Sequence, residues 1–498
     1  MTLAVSRRRL VSFLGAVSAL SLLGGDQNAF GAEYSVTRAF ETFLESSASD
    51  FTAALEAAVD WSSRTRGVVT FSGTHRLSQT VIVKKPVRFR FLDALFEIEG
   101  SPKAAISNGA VGPMGFLFQD VPDLQLSGKA YFSGVSTGSE SELAGIVIDS
   151  CERVRSEAHF TFKQLAIGMF ALWCDDGIFG DIDATMMKGR QPFGSNGTAG
   201  SALVLVGCRN SHFGRISSRS NYKPVLYCSV GYDRNNRAID NEGCTVGPIH
   251  ATAFPGSGES ALIAVRSARN CEFSTATGQG FAFGYYIERY DTDEDFSVDG
   301  NLFGPLTGDF QDTGASADAA IIQSAQTAAV PVGSNHVQSV EVSCGGEFGI
   351  AILSGALSCD RIEVTGGDRP IVVANASLSA KSITVKGQRR EAITTGGAAM
   401  LAVQVINIDS GSMSGAASAL RYHPAFGNDV SASMRVGTIR YRHNGAGTPL
   451  QYIIYDPEHS QNHWSIGTID GTPTVADGQF RSGVRVNFRN EHALPVEK

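Results

Sequence analysis

One short pattern returns along this chain and limits what it can fold into: an apolar residue, a glycine, any residue, then Ile or Leu. It stands at Phe179-Gly180-Asp181-Ile182, Phe213-Gly214-Arg215-Ile216, Val246-Gly247-Pro248-Ile249, Phe303-Gly304-Pro305-Leu306, Val436-Gly437-Thr438-Ile439 and Ile466-Gly467-Thr468-Ile469. Weaker copies lack the glycine, as in Leu124-Gln125-Leu126, Phe273-Ser274, Val340-Glu341-Val342, Ile362-Glu363-Val364, Ile383-Thr384-Val385 and Ile406-Asn407-Ile408. Taking the residue after the first apolar one as the marker places copies at 125, 155, 180, 214, 247, 274, 304, 341, 363, 384, 407, 437 and 467, spaced 21 to 37 residues apart. A repeat of this length is one supersecondary unit that cannot bury its apolar face alone, so neighbouring units must stack.

Alternation of apolar residues in the short copies has the period of a strand and not of a helix. A second strand precedes the marker in several units, as in Ala202-Leu203-Val204-Leu205-Val206, Ile350-Ala351-Ile352-Leu353 and Ile371-Val372-Val373. Short strands in coils of about 22 residues define an all-β solenoid: a single-stranded, right-handed parallel β-helix. Composition agrees. Charged residues are 18% of the 498, and glycine, at 55, exceeds the usual share of about 7%. That profile excludes coiled coils and long helical bundles, and fits a chain that turns often. Phe179, Phe213, Val246, Phe273 and Phe303 share one register and should stack inside. Cys174 and Cys208 share another, and Cys244 and Cys271 a third. Coils about 4.8 Å apart place such pairs within disulfide range; the reading preferred is buried free thiols acting as small hydrophobes.

The N-terminus, MTLAVSRRRLVSFLGAVSALSLLGG, joins Arg7-Arg8-Arg9 to an apolar run of about 14 residues, too short for a membrane span of about 20. It resembles a twin-arginine (Tat) export signal; an ordinary secretory signal carrying three arginines is the alternative. Residues 1–31 are therefore expected to be a removable signal peptide, with an exported, periplasmic or extracellular destination and no membrane span. Processing there leaves 38 basic and 48 acidic residues, a net charge of −10. Such a surface offers no basic footprint for nucleic acid.

Residues 50–83 read DFTAALEAAVDWSSRTRGVVTFSGTHRLSQTVIV. Leu55, Ala58 and Val59 share one helical face, and strands follow at Gly67–Phe71 and Val81–Val83. This stretch resembles the N-terminal module of the pectate-lyase-like β-helix superfamily of exported carbohydrate-active proteins, a D-x-T-x-A-[IL] helix followed by G-x-V-x-F-P-x-G-x-Y. Ser72 stands where that pattern has Pro, and His75 where it has Tyr. The resemblance implies a short helix capping the first coil within an N-terminal segment 32–66, a β-helix over 67–498, and a polysaccharide as partner. The polygalacturonase branch also uses N-T-D, D-D, G-H-G and R-I-K motifs. This chain has only Asp175-Asp176 and no G-H-G.

The widest marker spacings place the longest loops at about 186–201, 219–243, 281–300 and 308–320, so a groove is expected over the coils marked 180 to 304. With Ile182, Ile216 and Ile249 pointing inward, their odd neighbours Asp181, Asp183, Arg215, Arg219 and His250 point outward together. Two carboxylates on one strand face stand about 6.5–7 Å apart, the separation of an inverting glycosidase pair. A lyase instead needs a cation against a uronate carboxylate and a base for the neighbouring proton. Arg215, Arg219, Lys188 or Lys223 offer the cation; His250, Tyr222 or Tyr227 offer the base; Glu288 and Arg289 are expected to line the groove. The competing reading of these charges is a solvated outer face with ordinary cross-strand pairs.

No metal or cofactor is expected. The acidic loop at Asp291, Asp293, Asp295 and Asp299 opens like a calcium loop, but has Phe296 and Leu302 where such a loop has Gly and Glu. Trp61, Trp173 and Trp464 are read as packed, with sugar stacking the alternative. The chain lacks G-x-S-x-G, Walker and H-E-x-x-H motifs. Two functions remain: an enzyme that cleaves an extracellular polysaccharide, by elimination or hydrolysis, and a non-catalytic β-helix that binds glycan or builds envelope or matrix. The oligomeric state is open, a trimer included.

Overall fold

The computed structural model describes residues 36–47, 51–99, 103–135, 142–189, 200–233, 235, 237–256, 260–289, 296–311, 319–326, 331–410, 418–423, 432–443, 452–455, 462–471 and 485–486. The proposed signal peptide lies outside them, as do Asp50, Tyr290 and the acidic residues 291–295.

The chain forms a parallel β-helix. Two long sheets, of 23 and 15 strands, pair almost wholly in parallel from coil to coil. Coils contribute one strand to the smaller sheet; to the larger they contribute two strand segments separated by a bend between Val154 and Phe310, and one continuous strand elsewhere, as in Ser334–Cys344. In the coil marked 180 these are Ile167–Leu172, then Ile178–Phe179 and Ile182–Thr185. The segments before and after the bend are here called the first and second arms.

Register shows which parts of the repeat were read correctly. Phe179, Phe213, Val246, Phe273 and Phe303 do form one interior row. Phe179 and Phe213 stack with ring centroids 4.4 Å apart, and Phe273 and Phe303 at 4.8 Å. The row continues through Val337, Cys359, Ala380 and Val403 to Val436 and Ile466. Towards the N-terminus it runs back through Ser156, Leu126 and Phe89 to Val69. The markers read at 341, 363, 384 and 407 therefore belong three residues earlier, at 338, 360, 381 and 404. Those at 125 and 155 belong two later, at 127 and 157. The cause is periodicity: in a half-buried strand, successive inward apolar residues look alike, and only the bend tells them apart.

The marker glycines sit at that bend, where coils approach closely. A Cβ on Gly180 would lie 2.4 Å from the Ala158 carbonyl oxygen, and one on Gly247 2.8 Å from the carbonyl carbon of Gly214. The left-handed corners that carry the chain from sheet to sheet are filled mainly by other residues. Arg153, Asp176, Asn210 and Asn270 recur at one corner, and Asp120, Ser150 and Trp173 at another, all at positive φ. Asp175-Asp176 falls at such a corner, with Asp176 at positive φ.

All eight cysteines are buried, and Cys151, Cys174, Cys208, Cys228, Cys244, Cys271 and Cys359 are free thiols. With the marker corrected to 157, Cys151 stands six before it and joins the row of Cys174 and Cys208. Buried amides close the interior polar positions. Asn241 accepts the Cys208 N–H at 3.1 Å and donates to the Ser267 carbonyl at 2.9 Å. Two coils later Asn301 accepts the Cys271 N–H at 3.0 Å and donates to the Ala268 carbonyl at 2.9 Å.

The N-terminal segment holds more than the one helix expected. Thr37–Ala39 pairs in parallel with the first coil strand, and helix Phe40–Ser46 precedes helix Phe51–Thr65. Leu55, Ala58 and Val59 are buried as their spacing predicts. Phe40 stacks on Phe71 at 4.6 Å, so the first coil's apolar end is sheathed. His75 is buried among Phe40, Phe51, Phe71 and Phe96, and burial lowers the imidazole's pKa despite the opposing charge of Glu41. Trp61 packs on Phe43, and Trp464 is 1% exposed. Trp173 is half-buried at a corner.

Candidate functional site

The second arm builds the candidate site. Its outward rows follow from strand alternation. Asp183, Ser217, His250, Thr277, Thr307 and Glu341 are in register along one row. Two residues further along lie Thr185 and Arg219, then Thr252, Gln279, Asp309 and Ser343. A groove of about 600 Å³ runs over these coils, lined by Arg219, His250, Gln279 and Asp309 among others. The sequence-predicted Arg219 and His250 thus share one cavity. Both are exposed, and neither side chain has a polar partner among the described residues. They stand one coil and two residues apart, roughly 8 Å between Cα atoms by strand and coil spacing.

Asp181, Asp183 and Arg215 come together too, but they satisfy one another. Arg215 Nε lies 3.4 Å from Asp181 Oδ2, and Arg215 Nη1 lies 3.3 Å from Asp183 Oδ1. The Arg215 backbone N–H donates to Asp181 Oδ1 at 2.9 Å. His159 Nε2 meets Asp183 Oδ2 at 2.8 Å. One arginine bridging both carboxylates leaves neither placed as a free acid or base. The cluster borders the groove without lining it.

An aromatic platform stands in the turn after the second arm. Tyr222 and Phe254 stack at 4.3 Å, with Lys188 Nζ 4.4 Å from the Tyr222 ring centre. Phe254 is 38% exposed. Gly280 lies one coil further on, and the space where its Cβ would point is open for 4 Å. Lys188 and Tyr222 thus belong together, in a cation–π contact. Lys223 follows in the same turn, half-buried, its carbonyl accepting from Asn221 Nδ2 at 2.6 Å.

Tyr227, Glu288 and Arg289 are placed differently from expectation. The segments 219–243 and 281–300, read as loops, each contain a strand of the smaller sheet, Leu226–Ser229 and Phe283–Arg289. These residues therefore lie on another face of the solenoid. Tyr227 and Glu288 are buried, with Arg266 donating to the Tyr227 hydroxyl at 3.1 Å and pairing with Glu288 at 2.8 Å. Burial pushes the Tyr227 phenol up, which disfavours it as a base. Tyr286 beside them is pushed up to about 12, by burial and then by Glu288. Arg289 Nη1 donates to the Pro331 carbonyl.

His159, Phe254, Gln279 and Asp309 were missed. His159-Phe160-Thr161-Phe162 shows strand alternation, but the misplaced marker at 155 hid it. Asp309 was assigned to a loop starting at 308, whereas Leu306–Phe310 continues the strand. Among the described residues no group of three His, Cys, Asp or Glu is arranged to hold a metal ion. Among the same residues no helix is long and apolar enough to cross a membrane.

No family model matches the chain, and no curated protein matches it. Solved structures do. A double mutant of the tailspike protein of Escherichia coli bacteriophage HK620, in complex with a pentasaccharide, is 12% identical; the match covers 88% of this chain and 74% of that one, with a TM-score of 0.42. The Gp54 tailspike of Acinetobacter baumannii bacteriophage AP22, in complex with a capsular saccharide, is 10% identical over 90% and 79%, with a TM-score of 0.35. The Streptococcus pneumoniae surface protein and adhesin PfbA is 9% identical over 91% and 100%, with a TM-score of 0.29. At such scores the fold stands on the strand register described above, and nothing further is carried over from these proteins.

Proposed function

We propose that this protein is an exported enzyme that cleaves an acidic extracellular polysaccharide by β-elimination in the second-arm groove. One observation carries the reading: a guanidinium and an imidazole without a polar partner among the described residues, Arg219 and His250, line the same open groove. Elimination needs that pair. Arg219 neutralises the uronate carboxylate, which acidifies the adjoining C–H, and His250 removes that proton as base. The electron pair then forms the C=C bond as the bond to the glycosidic oxygen breaks, and that oxygen takes a proton from water in the open groove. Gln279 and Asp309 supply hydrogen bonds to hydroxyls, and the Tyr222–Phe254 platform offers a ring face to a sugar. An open groove admits an extended chain.

The exposure of His250 favours a second reading, a non-catalytic glycan-binding β-helix, because an open groove does not exclude water. Both readings keep the export signal at 1–31 and the kinship with pectate-lyase-like proteins as parts of the proposal. The test is incubation with a panel of uronate-containing and neutral polysaccharides. Elimination raises ultraviolet absorbance as an unsaturated product accumulates; hydrolysis yields new reducing ends without it. Neither signal with glycan binding retained would select the binding module.

A further inference from the structure

A second cavity lies further along the rod, on the first arm and the bend. It is the larger of the two, about 890 Å³, and runs from His336 to Ser465. In register along its wall are His336, Ser358, Ser379, Ala402, Arg435 and Ser465. Six coils at about 4.8 Å make a trough roughly 24 Å long.

The bend differs here from that of the earlier coils. Where those carry Gly180, Gly214, Gly247 and Gly304, this stretch carries Asp360, Lys381 and Gln404 before glycine returns at Gly437 and Gly467, and all five line the trough. Strand pairing skips these residues. Lys381 Nζ pairs with Asp360 at 2.8 Å. His336 Nδ1 shares a hydrogen bond with Ser358 Oγ at 2.9 Å. Arg435 is exposed and has no polar partner among the described residues. Cationic groups therefore exceed anionic ones locally, on a chain whose net charge is −8.

We infer that this trough is a second binding site, for a carboxylated or sulfated polysaccharide, that holds the chain without cleaving it. The serine and glutamine side chains suit sugar hydroxyls, Arg435 suits an acidic substituent, and the coil step is close to the advance of one sugar in an extended glycan. Among the described residues no Phe, Tyr or Trp lines the trough. That disfavours single-stranded nucleic acid, which is held by base stacking as well as charge. The inference does not depend on whether the second-arm groove cleaves.

The test is affinity electrophoresis of the full chain through gels containing polygalacturonate, alginate or chondroitin sulfate, with dextran as the neutral control. His250→Ala serves as background so that the matrix stays intact. At least one acidic polymer is expected to retard the protein, with dextran inert. Arg435→Glu should weaken that binding tenfold or more, Gln404→Ala should weaken it less, and Arg435→Lys should restore most of it, all with unchanged thermal melts. Retardation by no acidic polymer would overturn the inference. So would retardation equal in Arg435→Glu and the background, or stronger Arg435-dependent binding of single-stranded DNA. If Arg435→Glu melts early, Gln404→Ala and a Ser379→Ala variant read the same site.

Discussion

The coils from 156 to 310 and those from 334 to 410 share one register and differ in what they do with it. In the first group the interior row is mostly aromatic, the bend is mostly glycine packed against the preceding coil, and the second arm carries the groove. In the second the row is Val337, Cys359, Ala380 and Val403, the bend carries longer side chains, and the cavity has moved to the first arm. Charges at equivalent positions also fare differently. His250 is uncommitted, whereas Glu363, in the same outward row, is tied to Arg361 and Lys386. A repeat thus fixes where side chains point. Whether an outward charge is available for chemistry depends on its neighbours one coil away.

The largest expected effect separates the regions by activity. His250→Ala or Arg219→Ala should lower cleavage by about a hundredfold or more, while Glu363→Ala leaves the rate unchanged; initial rates of unsaturated product check this. Equal losses from Glu363→Ala would break the contrast. Second comes the core. Phe213→Ala should cost about 3–5 kcal/mol, well above Val403→Ala in the same row, measured by denaturant melts. Third comes the bend. Gly214→Ala puts a Cβ 2.7 Å from Asp181 Oδ1 and 2.8 Å from the Gly180 carbonyl carbon. It should cost about 1–3 kcal/mol as overpacking, whereas Lys381→Gly at the equivalent bend costs under about 1 kcal/mol. Near-equal values would mean the glycine row is not set by coil approach.

The smallest effect is a pH slope in the C-terminal group. Lys386 and then Arg361 hold the Glu363 carboxyl below its ordinary value of 4.5. Its contribution is therefore present above about that pH and is lost as pH falls through the lowered folded value. Glu363→Gln should flatten the fall in melting temperature between pH 6 and 3, and an unchanged slope would place the acid sensitivity elsewhere.

The fold was legible because a solenoid writes its geometry into a short repeat. The inward row from Phe179 to Phe303 and the cysteine rows needed only alternation and spacing. Register slipped where the glycine was absent, since Val337 and Val340 are both inward and apolar. The site was half legible. Outward placement of Asp181, Asp183, Arg215, Arg219 and His250 followed from strand parity. That Arg215 and His159 would neutralise the two aspartates did not, because those contacts cross between coils far apart in sequence. Tyr227, Glu288 and Arg289 were misplaced because wide marker spacing was read as loop, when each stretch also held a strand of the smaller sheet. The C-terminal trough gave no sequence signal, since it arises from equivalent positions of six coils and no local motif.

The most direct test of the account is the ultraviolet absorbance of a uronate polysaccharide incubated with the protein and with its Arg219→Ala and His250→Ala variants. The account predicts accumulation of unsaturated product with the unaltered protein and near-complete loss in both variants, whose melts are unchanged. Full product formation by either variant, or new reducing ends with no unsaturated product, would contradict it.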